Sequence, residues 1–209
     1  MTDVRSPRER YREQMRAEIK QHAWEQIAES GASALSLNAI AKQVGMSGPA
    51  LYRYYAGRDE LITELIGDAY RSLADAVRAA SDDGADVAQL AHTVRDWALQ
   101  DPQRYFLIYG TPVPGYRAPE DTTAVSDEIM TVLLAAWSSV PPRPATLFDT
   151  HLAERTDREP ETAAALHRAL TFWTRVHGVL SLELAGHFAG MGFDPALLFA
   201  EEVERLSAT

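Results

Sequence analysis

The 209-residue chain is expected to be all-α. It reads as an N-terminal three-helix helix-turn-helix head, joined by a long helix to a larger helical domain. Apolar residues recur at the 3.6-residue helical period in nearly every segment. No alternating apolar–polar run is long enough for a sheet. Residues 36–58 hold two short helical stripes separated by Gly45, and the second carries aromatic residues that its own packing does not need.

The elements follow in order. A first helix runs from about Pro7 to Ser30, with Met15, Ile19, Ala23 and Ile27 at intervals of four and Trp24 beside them. Gly31 ends it. Ser36 can cap a second helix whose stripe is Leu37, Ile40, Ala41 and Val44, and Ser47 can cap a third. Pro49 stands in the first turn of that third helix, where a missing N–H costs little. Leu51 must face inward there, which leaves Ala50, Tyr52, Arg53 and Tyr54 facing out, while Tyr55 is expected in the core. A helix that turns aromatics and an arginine away from its core is shaped for a partner.

After Ala56-Gly57 a long helix starts at Arg58-Asp59-Glu60 and carries Leu61, Leu65, Ile66, Ala69 and Leu73 toward Ala80. Ser81-Asp82-Asp83-Gly84 is read as a turn. The organisation expected is therefore a head over 1–57, a connecting helix over 58–80 and a second domain over 81–209. That domain begins near Asp86 with a helix through Val87, Leu90, Val94, Trp97 and Ala98. Asp101-Pro102 breaks it, and Arg104–Tyr109 continues as a short helix. Gly110 to Thr123 is read as a loop from its prolines and glycines. Helices are then expected at about Thr123–Ser138, Ala145–Asp157, Glu161–Ala189 and Pro195–Leu206, with a break at Pro141-Pro142-Arg143-Pro144.

Net charge is −10, but it is unevenly spread: residues 1–58 hold nine Lys/Arg against six Asp/Glu, and the remainder eleven against twenty-four. A basic head on an acidic body orients an approach to phosphates. There are no cysteines, which excludes disulfides, thiol nucleophiles and thiolate metal sites. The N-terminus lacks the apolar core of a signal peptide, and no stretch is long enough to span a membrane. A cytoplasmic protein without membrane partners is expected.

The head resembles that of the tetracycline-repressor (TetR) family of bacterial transcription regulators. The resemblance rests on Ser36-Leu37-x-x-Ile40-Ala41-x-x-Val44-Gly45-Met46-Ser47-Gly48-Pro49-Ala50-Leu51-Tyr52-Arg53-Tyr54-Tyr55 and Gly57-Arg58-Asp59-Glu60-Leu61. Tyr55 and Arg58 stand where the family more often has Phe and Lys, and a basic residue often found at position 48 is missing. The body is similar to a C-terminal class named for a Trp-His-Gly signature, here Trp173-x-x-x-His177-Gly178. Trp97, the Asp101-Pro102 break and Tyr105 fit the same class.

The resemblance implies a homodimeric repressor, released from double-stranded operator DNA when a small-molecule effector binds the body. The DNA-facing residues are expected to be Ser36, Lys42, Ser47, Gly48, Pro49, Ala50, Tyr52, Arg53, Tyr54 and Arg58. Small apolar Pro49 and Ala50 suit a thymine methyl, and Arg53 can fork onto guanine O6 and N7. Tyr52 and Arg58, by analogy with the family, meet phosphates. The arginines at 5, 8, 10 and 12 form a basic arm that either touches DNA or pairs with Glu9, Glu13 and Glu18 along the first helix.

In the body, Trp97, Tyr105, Tyr109, Phe172, Trp173 and His177 form the candidate effector site; the alternative is a packed aromatic core. The Glu161–Ala189 helix is apolar on more than one side and so is expected to be buried twice, once against a second copy. Val176, Val179, Ala185 and Gly186 are its candidate dimer contacts. No cofactor or metal is expected. The phosphate-loop, nucleophile-elbow and His-Glu-x-x-His motifs of enzymes do not occur. His167, His177 and His187 are spaced by ten, so successive rings rotate about 80° apart on a helix. His92 and Asp96 lack a third ligand. A head that binds another protein is the rival reading, separated by salt-sensitive, sequence-selective DNA binding.

Overall fold

The computed structural model describes residues 6–110, 120–138, 140–141 and 143–207, and among these no strand occurs. Helix α1 (Pro7–Ser30) opens on a capping box in which Ser6 and Glu9 exchange side-chain-to-backbone hydrogen bonds. It buries the expected row of Met15, Ile19, Ala23 and Ile27. Gly31, at φ 76°, ends it, and a 3₁₀ turn follows at Ala32–Ala34.

Helix α2 (Leu37–Gln43) is capped by the Ser36 hydroxyl, which accepts from the Ala39 N–H at 3.4 Å. Its end is a two-bond turn: Met46 N–H donates to the Ala41 carbonyl and Gly45 N–H to that of Lys42. This pattern requires a left-handed residue just past the helix, and Gly45, at φ 69°, supplies it. Helix α3 is regular only over Gly48–Leu51, and Tyr52–Tyr54 continue as hydrogen-bonded turns. Ser47 holds the cap position, but its hydroxyl makes no capping bond, contrary to the expectation from sequence.

Helix α4 (Arg58–Asp82) runs past Ala80 before turning at Asp83-Gly84. Helices α5 (Val87–Gln100) and α6 (Pro102–Tyr109) are separated by Asp101, whose side chain accepts from the Arg104 N–H. Most of the expected loop lies outside the described residues. Helix α7 (Glu120–Ser138) begins three residues before the expected Thr123. Helix α8 (Leu147–Thr156) and helix α10 (Pro195–Ser207) fall close to their expected places.

Helix α9 (Pro160–Leu184) is shorter than its hydrophobic pattern suggests. His187 N–H donates to Leu182 and Gly186 N–H to Glu183, with Gly186 at φ 77°. That is the same glycine-dependent stop that ends α2, so Ala185 and Gly186 leave the helix.

Two apolar cores result. One joins α1, α2, α3 and the first half of α4 around Ile19, Ile40, Leu51, Tyr55 and Leu65. The other joins the second half of α4 to α5, α6, α7, α9 and α10 around Leu73, Leu90, Tyr105, Leu133, Phe172 and Phe199. Tyr70 on α4 and Ile108 on α6 pack against both. No described helix is long and apolar enough to cross a membrane.

Candidate nucleic-acid interface and ligand core

The short α3 is held from behind. Leu51 and Tyr55 are fully buried, whereas Tyr52 is 49% exposed, Arg53 is exposed and Tyr54 is half-buried. Arg16 on α1 organises this side. Its guanidinium donates to the Tyr54 carbonyl at 3.2 Å, lies 4.5 Å from the Tyr55 ring centroid and pairs with Glu64 on α4. Lys20 adds bonds to Glu64 and Asp68 at 3.1 and 2.7 Å. Burial, together with the Glu64 charge, pushes the Tyr55 phenol well above its ordinary range, so it stays neutral. Sequence inspection missed Arg16. The signal was the i, i+4 pair Arg16–Lys20 beside the buried row of α1, facing the acidic pair Glu64 and Asp68.

The outer side is different in character. A groove of about 560 Å³ runs between α1 and α3, lined by Arg8, Arg12, Ser47, Ala50, Arg53 and Tyr54 among others. The basic residues from 8 onward are thus on an ordered helix and not on a loose arm, while Arg5 lies outside the described residues. Lys42 and Pro49 are exposed; Ser36 and Gly48 are half-buried. Arg58 is engaged within the chain. Its guanidinium donates to the Ala32 carbonyl at 2.8 Å and lies 3.7 Å from Asp59, so it ties α4 to the turn after α1.

In the body, Tyr105, Tyr109, Trp173 and His177 converge. The Tyr109 and Trp173 rings lie 4.2 and 4.3 Å from the His177 ring, and the Tyr105 ring stacks at 5.6 Å. Tyr105 Oη lies 3.1 Å from His177 Nδ1. His177 Nε2 and Tyr109 Oη are buried without a partner. Burial pushes the imidazole down to about 4 and the Tyr105 phenol up to about 12. The histidine is therefore neutral at pH 7.

Phe172 is fully buried in the same core, but Trp97 is employed otherwise, donating its indole N–H to Ser72 on α4 at 3.1 Å. The residue missed here is Tyr70, whose ring packs edge-on to Tyr109 at 5.9 Å. It connects the cluster to α4. Helix α6 therefore has two employments: Tyr105 and Tyr109 enter the body, while Leu107 and Ile108 pack on the head core and Arg104 lies over Trp24 of α1.

The expected dimer residues divide. Val176 and Val179 are buried in the chain's own core, because they share the α9 face of Phe172 and Leu180. Ala185 and Gly186 are exposed in the turn past α9. The exposed large apolar side chains nearby are Leu182, Met191, Phe193 and Leu197.

Known proteins match along the whole chain. Residues 19–65 match the N-terminal profile of bacterial regulatory proteins of the tetR family, and residues 87–206 the tetracyclin repressor-like C-terminal domain. The chain belongs to the TetR family. The HTH-type transcriptional regulator Rv1816 of Mycobacterium tuberculosis is 36% identical, over 94% of this chain and 92% of its own. The crystal structure of SCO4313, described as a regulatory protein, is 65% identical with a TM-score of 0.91, covering 98% of this chain and all of that one. A TetR-family regulator from Rhodococcus RHA1 shares the fold at a TM-score of 0.60 and 16% identity, covering 92% and 95% of the two chains. This TetR-family chain is a transcriptional regulator with a DNA-binding helix-turn-helix.

Proposed function

We propose that the protein is a homodimeric repressor that places α3 of each copy in the major groove of a near-palindromic operator and leaves it when a small molecule enters the body. The observation that carries this reading is the two-sided α3. Its inner side is fixed by Leu51, Tyr55 and Arg16, and its outer side presents Ala50, Tyr52 and Arg53 beside a groove lined by further arginines. Direct base reading falls to Arg53, with Pro49 and Ala50 against a thymine methyl. Tyr52, Lys42 and Ser47 meet phosphates, and position the helix without specifying sequence. A regulator of this kind works in the cytoplasm.

Dimerisation is assigned to the exposed stripe of Thr174, Gly178 and Leu182 on α9, extended by Ala185, Gly186 and Leu197. Glycine at 178 and 186 lets a second copy approach closely. The Tyr105–Tyr109–Trp173–His177 cluster is the responsive element of the body. Its two unpartnered polar atoms make the packed arrangement costly to keep, by about 1–3 kcal/mol for each buried polar group. A ligand that satisfied them would reset Tyr109 against Tyr70 and so shift α4. It must bind the DNA-incompetent arrangement more tightly than the other, because equal affinity would change nothing.

The test is to sequence duplexes retained from a random pool. Two inverted half-sites, related by multiples of about one DNA turn, are expected. Retained sites without symmetry would remove the dimeric reading. No retention at low ionic strength would remove the DNA-binding one.

A further inference from the structure

Where α7, α8, α9 and α10 meet, two cavities of about 300 and 360 Å³ flank the same three side chains, Trp137, Arg143 and Arg168. The cations around them are not equally paired. Asp149, itself buried, accepts from Arg143 at 2.8 and 3.1 Å, lies 2.8 Å from His167 Nδ1, and also accepts from the Thr146 N–H and hydroxyl. Burial alone would raise this carboxyl, yet those hydrogen bonds hold it well below the usual carboxylate range. Asp149 therefore neutralises Arg143. Arg175, at the wall of the first cavity, pairs with Glu202 at 3.3 Å.

Arg168 has no such partner. It is 8% exposed, and donates to the Pro141 and Val140 carbonyls at 2.8 and 3.4 Å. Among the described residues no carboxylate lies within ion-pair distance of it, and its Nε is buried without an acceptor. Beside it, with the ring centroid 5.9 Å from the guanidinium carbon, Trp137 is 2% exposed with its indole N–H also unpartnered. Two carbonyls do not discharge a buried guanidinium, and buried charges are ordinarily paired. The cavity walls add an apolar surface from the Trp137 ring, Pro144 and Leu206.

We propose that this pocket binds the carboxylate of a small, partly apolar organic acid, with Arg168 as its counter-charge and the Trp137 indole N–H as a second donor. One guanidinium without an ion-pair partner matches a monoanion. A dianion would bring surplus negative charge next to Asp149 and next to Glu161, which lines the second cavity. The site is separate from the His177 cluster, and its test needs no DNA.

Calorimetric titration of the full-length protein compares phenylacetate and octanoate with their uncharged amides at fixed ionic strength. At least one acid is expected to bind below about 1 mM, and about tenfold more tightly than its amide. Arg168→Gln should erase that tenfold preference while Arg168→Lys keeps most of it, and Trp137→Phe should weaken the acid by about threefold. Should Arg168→Gln fail to fold, Trp137→Phe reads the loss, and acid binding unchanged by it overturns the proposal. The proposal is overturned if acid and amide bind alike, if neither acid binds at about 10 mM, or if chloride or inorganic phosphate displaces the acid at comparable concentration. A preference for acid over amide that survives Arg168→Gln overturns it equally.

Discussion

The two cores of this chain are built on different terms. Around Ile19, Leu51 and Leu65 the head core is almost wholly aliphatic, and its charges are placed outside it, in the Arg16–Glu64 and Lys20–Asp68 pairs between α1 and α4. The body core instead encloses polar atoms without partners: His177 Nε2, Tyr109 Oη, Trp137 Nε1 and Arg168 Nε. Among the described residues the head core has one such atom, Tyr55 Oη. Buried polar atoms without partners leave free energy to be gained by rearranging or by taking up a ligand. Buried polar atoms without partners are thus concentrated in the body, and α4 and α6 contribute to both cores.

The comparison breaks most visibly at Leu51. It is fully buried under α3, and Leu51→Ala should cost about 2–5 kcal/mol. Because the body has its own core, thermal unfolding followed by circular dichroism should separate into two transitions, with the His177 cluster intact after the first. A single transition, shifted as a whole, would mean that the cores are not separable.

The next effect is in pH. The folded His177 titrates at about 4, below its ordinary value of 6.5, since burial disfavours the cation. Between those values the unfolded chain binds the proton and the folded one does not, so stability is full above 6.5 and falls as the pH drops toward 4. The loss can reach about 3 kcal/mol across that window. His177→Phe should flatten the pH dependence of the denaturation midpoint across that window. An unaltered slope would place the titration elsewhere.

Smaller still is the effect of Arg53→Ala, about 1–3 kcal/mol on the selected operator, with relaxed preference at one base. Binding competition against point-substituted operators measures it. An equal loss on every sequence would move Arg53 from base to backbone.

The head was legible in sequence almost residue by residue, because its constraints are local. Glycine at 45 follows from the turn, and Leu51 inside with Tyr52 and Arg53 outside follows from the helical period. The body was legible only in outline. The period of α9 shows that Val176 and Val179 are buried, but not by what; they pack on the chain's own helices. Nor does the stretch Val179–Ala185 reveal that Gly186 ends the helix, since its leucines and alanine would continue it. Arg168 reads in sequence as one more solvated charge. Its burial depends on α7 and the segment after it, more than twenty-five residues away.

Arg58 gives the finest test, because local pattern and tertiary contact disagree about it. By family pattern it meets a phosphate, while its guanidinium is bound to the Ala32 carbonyl at 2.8 Å. If that bond is its main role, Arg58→Ala loses a half-buried hydrogen bond and stability falls by about 1 kcal/mol. Operator affinity should then weaken slightly at all salt concentrations, with the slope of log affinity against log salt unchanged. If the guanidinium leaves Ala32 for DNA, the same substitution lowers that slope by about one, one phosphate contact having been lost. The structure favours the first outcome. Arg58 joins α4 to the turn after α1, so the residue that opens the connecting helix also fixes where the helix-turn-helix sits upon it.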